Sequence, residues 1–303
     1  MAARLKSVRL TCFKSLEDVS VALPAALPES TRRRLGHQSD TTTPKAPCLL
    51  ILGENATGKS SILEGIVLAA VDDKIRARLE GKPADLRLNP EYMGAADTPS
   101  SPTMPPVPKA SVALAFHDGS AIRLAISATG AVRTHQGAGA GAVPPVFAYG
   151  AHRLFSKSVA RDAELRQLET QYRLDKAQPD PTPWLRRLAK QDPATLNGVV
   201  SALRHIISID GDFETSTTRK NPGDDDEHCV INVRKYKSAA ARAEKNKAES
   251  DVLSHRFEIV SSGYKAVLGL ACDVRRGLIE VAGGDVERAR DLNAIVLVDE
   301  NDG

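Results

Sequence analysis

The sequence predicts an α/β fold in which a mixed central sheet carries an antiparallel β part toward the N-terminus and an inserted helical lobe. Three observations predict it. An apolar run at residues 48–52 feeds the loop Gly53-Glu54-Asn55-Ala56-Thr57-Gly58-Lys59-Ser60, and apolar residues at helical spacing begin directly behind it. Period-two segments flank that loop on both sides. A second apolar run, residues 294–298, ends in the adjacent carboxylates Asp299 and Glu300.

The elements follow in order. Residues 4–10 alternate apolar and polar side chains (Leu5, Val8, Leu10), Cys12-Phe13-Lys14-Ser15 follows, and residues 19–23 alternate again, which predicts a hairpin ahead of the loop. Residues 24–47 are rich in Pro, Ser, Thr and Arg, with Arg32, Arg33 and Arg34 in succession, and read as a surface insertion. From Ser60 to about Leu79, Ile62, Leu63, Ile66, Val67 and Ala70 recur at helical spacing, and Gly81-Lys82-Pro83 ends that helix. Prolines, glycines and serines crowd residues 89–108. Strand patterning returns at 111–116 and 121–126, joined by the hairpin turn His117-Asp118-Gly119-Ser120.

A Gly/Ala loop at 137–141 leads into a short buried strand that ends at Tyr149-Gly150. Residues 162–209 carry Leu, Arg, Gln and Ala at helical intervals, interrupted at prolines 179, 181 and 183. Residues 221–227 form a polar loop, and the basic, Ala-rich stretch 235–247 reads as an exposed helix or a disordered, solvated face. The whole is read as one head over 1–303: a β and phosphate-loop lobe (1–150), a helical insertion (151–250), and a closing helix and strand (251–303).

A net charge of +3 with 26% charged residues leaves no strongly basic footprint, so bulk charge is no argument for nucleic-acid binding. Cys12, Cys48, Cys229 and Cys272 lack metal-ligand spacing and fit reduced thiols in a cytoplasmic protein. The apolar runs are too short to span a membrane, and no membrane partner is expected.

The loop is where the chemistry is dense. Gly53 and Gly58 permit a tight backbone whose N–H groups, at a helix start, favour a phosphate, and Glu54, Asn55, Ala56, Thr57 and Ser61 complete the cradle. Lys59 can reach the β- and γ-phosphates of ATP, and the Ser60 hydroxyl can replace one water on Mg²⁺. Two carboxylates at the end of an apolar strand need a compensating charge. Mg²⁺ supplies one for Asp299, and Glu300 then serves as general base toward the attacking water. Between these motifs, Ser261-Ser262-Gly263 precedes a helical pattern and forms a third anion-friendly helix start.

The order of these motifs resembles the ABC-type ATPase heads of the RecF, SMC and OLD-like groups, including ATPases of bacterial defence. Leu10-Thr11-Cys12-Phe13-Lys14-Ser15 is similar to their first strand ending, residues 53–61 to their Walker A, residues 260–265 to their signature, and Asp299-Glu300 to their Walker B. The resemblance implies a P-loop NTPase that hydrolyses ATP as a head-to-head homodimer, with ATP on Lys59 of one copy covered by Ser261, Ser262 and Gly263 of the other. It also implies work with DNA and a nuclease or effector partner, in repair, maintenance or anti-phage defence. Ser262 stands in place of a signature glycine, Ala56 in place of a Walker A glycine, and Tyr149-Gly150-Ala151-His152-Arg153 where these heads carry a glutamine. His152 and Arg153, with Lys14 and Ser15, are further candidates for nucleotide contact. Heads of this type continue past Walker B, so the expectation is a truncated or incompletely read chain. The alternatives are then a nucleotide-dependent interaction module with little hydrolysis, or a small-molecule P-loop kinase, against which the wide separation of Walker A and Walker B argues.

Overall fold

The computed structural model describes residues 4–23, 49–54, 57–79, 83–88, 109–127, 129–137, 143–150, 155–156, 168, 172, 178–207, 212–219, 228–256 and 262–299. The chain forms two compact units, Met1–Ala151 with Asp291–Gly303, and His152–Arg290. Its strands are β1 (Leu5–Phe13), β2 (Leu16–Ala22), β3 (Ala110–Phe116), β4 (Ala121–Ser127), β5 (Gly130–Gln136), β6 (Val146–Tyr149), β7 (Phe155–Ser156), β8 (Gln178–Pro179), β9 (Asp212–Arg219), β10 (His228–Tyr236), β11 (Ser250–Arg256) and β12 (Ile295–Val298). The helices are α1 (Lys59–Ala70), α2 (Asp73–Leu79), α3 (Thr182–Gln191), α4 (Pro193–Ile207), α5 (Ala239–Ala243), α6 (Ser262–Val281) and α7 (Val286–Arg290).

In the first unit, five antiparallel strands run in the order β2-β1-β3-β4-β5. The register sets Leu10 opposite Val112 and Val112 opposite Leu124, so three fully buried side chains line one face. Helix α1 packs on that face against β1, β3 and β4. Burial of this kind contributes about 1.5–3 kcal/mol per large apolar side chain. Gly65 sets the spacing, since a Cβ there would stand 2.6 Å from Leu10 Cδ2 and 3.5 Å from Phe13 Cε1. Leu10 and Phe13 would face opposite ways in a regular strand, but Cys12 adopts φ +50° and both are buried. The 117–120 turn forms as expected. Asp118 accepts hydrogen bonds from the Ser120 N–H (2.9 Å) and hydroxyl (2.6 Å), which hold its carboxyl below the usual range.

Several expectations need correction. The helix read as continuous to about Leu79 breaks after Ala70: Val71 is extended, and the Asp72 carboxylate accepts from the Ile75 N–H at 2.9 Å, starting α2 afresh. The apolar run before the loop forms no strand over 49–54, and Leu50 and Leu52 are 75% and 80% exposed. A strand needs a ladder neighbour, and among the described residues none pairs with it. Within the first unit the expected single mixed sheet is two sheets among the described residues, because β12 pairs only with β6, in parallel, Ile295 opposite Val146 through Val298 opposite Tyr149. For the same reason β12 is not a buried central strand: Ile295 and Leu297 are covered while Val296 and Val298 are exposed. The edge strand β5 went unread because it buries little, Val132 included.

In the second unit, the segment expected as a helical lobe holds α3 and α4 but also the antiparallel sheet β11-β10-β9. Leu185, Leu196, Val199, Val200, Val233 and Cys272 form its core, with Trp184 and Leu188 packed against it. Of the prolines read as interruptions, Pro179 lies in β8, while Pro181 and Pro183 stand at the start of α3. Pro183 lies in the first turn of α3, where the Asp180 carboxylate accepts from the Thr182 N–H at 2.9 Å, and Pro193 opens α4. A missing N–H costs nothing in a first turn. Asp192 caps α4 by accepting from the Thr195 N–H at 3.0 Å and from its hydroxyl, which lower its pKa.

This cap gives a measurable expectation. Asp192→Ala destabilises the second unit by about 1 kcal/mol near neutral pH, read by urea unfolding through Trp184 fluorescence. A carboxyl whose folded pKa is depressed stabilises above its unfolded pKa and loses that contribution as pH falls through the folded value. The difference between wild type and variant therefore shrinks on acidification below the ordinary aspartate range.

Candidate functional site

Gly58 occupies the left-handed region (φ +89°, ψ 13°) and delivers the chain into α1 at Lys59. Ahead of it the loop closes on itself, the Thr57 hydroxyl donating to the Glu54 carbonyl at 2.8 Å. The Lys59 ammonium folds back over the loop and donates to the carbonyls of Gly53 (2.5 Å) and Glu54 (2.8 Å). No side chain caps this helix end. The first N–H groups of a helix have no intrahelical acceptor, and the dipole there favours an anion. Both glycines are closely packed: a Cβ at Gly53 would lie 2.8 Å from Thr57 Oγ1, and one at Gly58, whose φ already strains an L-residue, would lie 2.6 Å from Leu16 Cδ2, so a side chain at either needs its neighbour to shift.

The β1–β2 hairpin tip lies against the same loop. Ser15 Oγ is 3.6 Å from the position a Gly58 Cβ would take, while the Lys14 ammonium pairs with Glu64 on α1. Lys14, a candidate for nucleotide contact, is thus engaged with the helix behind the loop. At the opposite end of α1, Arg76 donates to the Leu68 carbonyl (3.3 Å), and Arg133 of β5 donates to those of Ala69 (3.0 Å) and Ala70 (3.4 Å). Burial and the neighbouring Arg76 charge push the Arg133 guanidinium below its ordinary pKa. An open cleft at this end is lined by Asp72, Asp73, Lys74, Arg133 and His135. Glu64, Arg76 and Arg133 carry no sequence pattern that marks them; their partners are set by the tertiary fold.

Asp299 follows the last residue of β12, half-buried, with its N–H donating to the Tyr149 carbonyl at 2.8 Å. It belongs to the same compact unit as Lys59 and Ser60, and α1 packs against β6, the strand beside β12. Ser60 is exposed and Ser61 half-buried in the first turn of α1. Ser262 and Gly263 open α6 in the second unit. Asn55, Ala56, His152, Arg153, Ser261 and Glu300 lie outside the described residues. Among the described residues no group of three or more His, Cys, Asp or Glu could hold a metal, and no helix is long and apolar enough to cross a membrane.

No protein-family model matches the chain, and no curated protein is similar to it. A solved structure of the recombination mediator protein RecF-ATP in the RecFOR pathway aligns with 100% of this chain and 93% of its own, at 13% identity and a TM-score of 0.34.

The loop geometry predicts opposite outcomes for two glycines. Gly58→Ala lowers the unfolding free energy by about 1–3 kcal/mol, since an L-residue is strained in the left-handed region and its methyl meets Leu16. Gly198→Ala, inside α4 with open space at its Cβ, raises it by about 0.5–1 kcal/mol. Paired denaturant melts check both signs.

Proposed function

We propose that this chain binds and hydrolyses ATP as an ABC-type head, pairing with a second copy across the nucleotide and coupling to DNA repair, DNA maintenance or anti-phage defence through a DNA or effector partner. The observation that carries the reading is the start of α1: an uncapped helix N-terminus behind a left-handed Gly58, with the Lys59 ammonium drawn over a loop closely packed at Gly53 and Gly58. That combination fits a polyphosphate, whose oxygens take backbone N–H donors and a point charge together.

In this reading Lys59 neutralises the phosphates, the Ser60 hydroxyl would replace one water on Mg²⁺, and the Asp299 carboxylate would hold the ion through a bound water. So few direct protein ligands suit a cation that keeps several of its waters. The ion supplies charge neutralisation on the phosphate oxygens. Glu300 accepts a proton from water as the water oxygen bonds to the γ-phosphorus and the bond to the bridging oxygen breaks, leaving ADP and phosphate. Ser261, Ser262 and Gly263 of a second copy add donors that have a partner only while the γ-phosphate is present.

Calorimetry and turnover separate binding from chemistry. Lys59→Ala weakens Mg·ATP binding at least about tenfold, the loss of a charge-assisted contact. Glu300→Gln keeps ATP affinity, lowers turnover by about 10²–10⁴ and accumulates an ATP-bound dimer. No affinity of the wild-type chain for adenine nucleotides would sink the proposal, and unchanged turnover in Glu300→Gln would remove its hydrolytic half.

A further inference from the structure

Strand β11 ends the sheet of the second unit, and among the described residues nothing pairs with its outer edge. Its register with β10 runs unbroken from Val230 opposite Arg256 to Tyr236 opposite Ser250, without a bulge. The strand, Ser250-Asp251-Val252-Leu253-Ser254-His255-Arg256, contains no proline or lysine. Val252 and Leu253 at its middle are 47% and 40% exposed. Proteins ordinarily blunt such an edge with bulges, prolines or lysines, because its unpaired N–H and C=O groups template another strand.

We propose that this edge is a self-association surface, where β11 of one copy pairs antiparallel with β11 of a second across a dyad at Leu253. The register follows from geometry. In an antiparallel strand alternate residues turn both N–H and C=O to the same side, so the residues facing away from β10 are of one parity. Two identical edges can therefore meet only with the dyad on a residue, never between residues. With the dyad on Leu253 all of β11 is paired, since 250 + 256 and 251 + 255 both equal twice 253. Asp251 then faces His255 of the second copy, twice by symmetry, and Val252 faces Ser254.

Moving the dyad to Val252 or Ser254 shortens the ladder and sets Asp251 or His255 opposite Leu253. The carboxylate–imidazole pair thus selects the central register, because an imidazole donates to a carboxylate whether or not it is protonated. Asp251 and His255 are both exposed, and among the described residues Asp251 has a 4.0 Å ion pair with the exposed Lys237 to give up. The assembled sheet would read β9-β10-β11-β11-β10-β9, with no nucleotide at the interface. It is independent of the ATP reading.

Sedimentation of the full chain across the micromolar range, without nucleotide or magnesium, tests it. A reversible dimer is expected. Asp251→His and His255→Asp, each placing like groups opposite one another twice, weaken dimerisation about tenfold, and the exchange of both restores it to within about threefold of wild type. A chain that stays monomeric, a dimer indifferent to the single replacements, a double variant as weak as the singles, or a dimer formed only with ATP would each overturn the proposal. The last outcome would leave the nucleotide reading intact.

Discussion

Helix α1 is held at three points, and the geometry of the loop before it depends on all three. At its start, Gly58 must stay left-handed against Leu16. Along its length, Gly65 lets the helix approach Leu10 and Phe13 more closely than any side chain would permit. At its end, Arg76 and Arg133 take the carbonyls of Leu68, Ala69 and Ala70. A helix of 12 residues is marginal by itself, so its stability derives from the sheet it covers. Guanidinium groups occupy the negative end, as the dipole favours, while the positive end carries no acidic side chain in its first turn and so keeps its preference for an anion unmet by that turn.

That polarity separates the two ends of α1 chemically. The cleft at the carbonyl end brings Arg133, His135 and Lys74 together, which in isolation resembles a place for an anion. Yet Arg76 and Arg133 already donate to helix carbonyls, Arg76 also pairs with Asp73, and Asp72 and Asp73 line the same cleft. The loop end has the opposite character, with backbone donors, an ammonium and, among the described residues, no carboxylate engaged by the loop. Glu64, the acid one turn further along, is committed to Lys14.

What was legible in the sequence was local. The 117–120 turn and the hairpins rest on Gly, Asp and period-two patterns that act over a few residues, and the structure forms them at the expected positions. What was illegible depends on neighbours. The run at 49–52 and the run ending at Asp299 look alike as strings, but one forms no ladder and the other is a strand with a single neighbour, because apolar composition does not say how many faces will be covered. Strand β9 is polar and rich in Thr, β11 is largely exposed, and in β10 only Val230 and Val233 are buried among the described side chains, so no alternating stripe marks the sheet. Pro181 and Pro183 look like breaks in the helical pattern, although a proline starts a helix when an aspartate stands beside it, as Asp180 does here. Among the site residues, the Lys14–Glu64 pair and the Arg133 contacts join positions 50 and more than 60 residues apart, beyond any motif.

Two interfaces on one chain have consequences that neither has alone. A pairing across the nucleotide and a pairing through β11 are each isologous, each using one surface on both copies. A chain with a single such surface stops at a dimer; a chain with two grows, closing as a tetramer if the dyads intersect at right angles, as a larger ring if they intersect at another integer fraction of a half-turn, and extending as an open array if they do not intersect. Because the nucleotide interface would require the γ-phosphate and the β11 interface would not, ATP would convert dimers into larger assemblies and hydrolysis would return them. The size of the ATP-bound state, compared between wild type and Asp251→His, would therefore report the two surfaces separately: growth beyond the nucleotide dimer would need about tenfold more of the variant than of the wild-type chain.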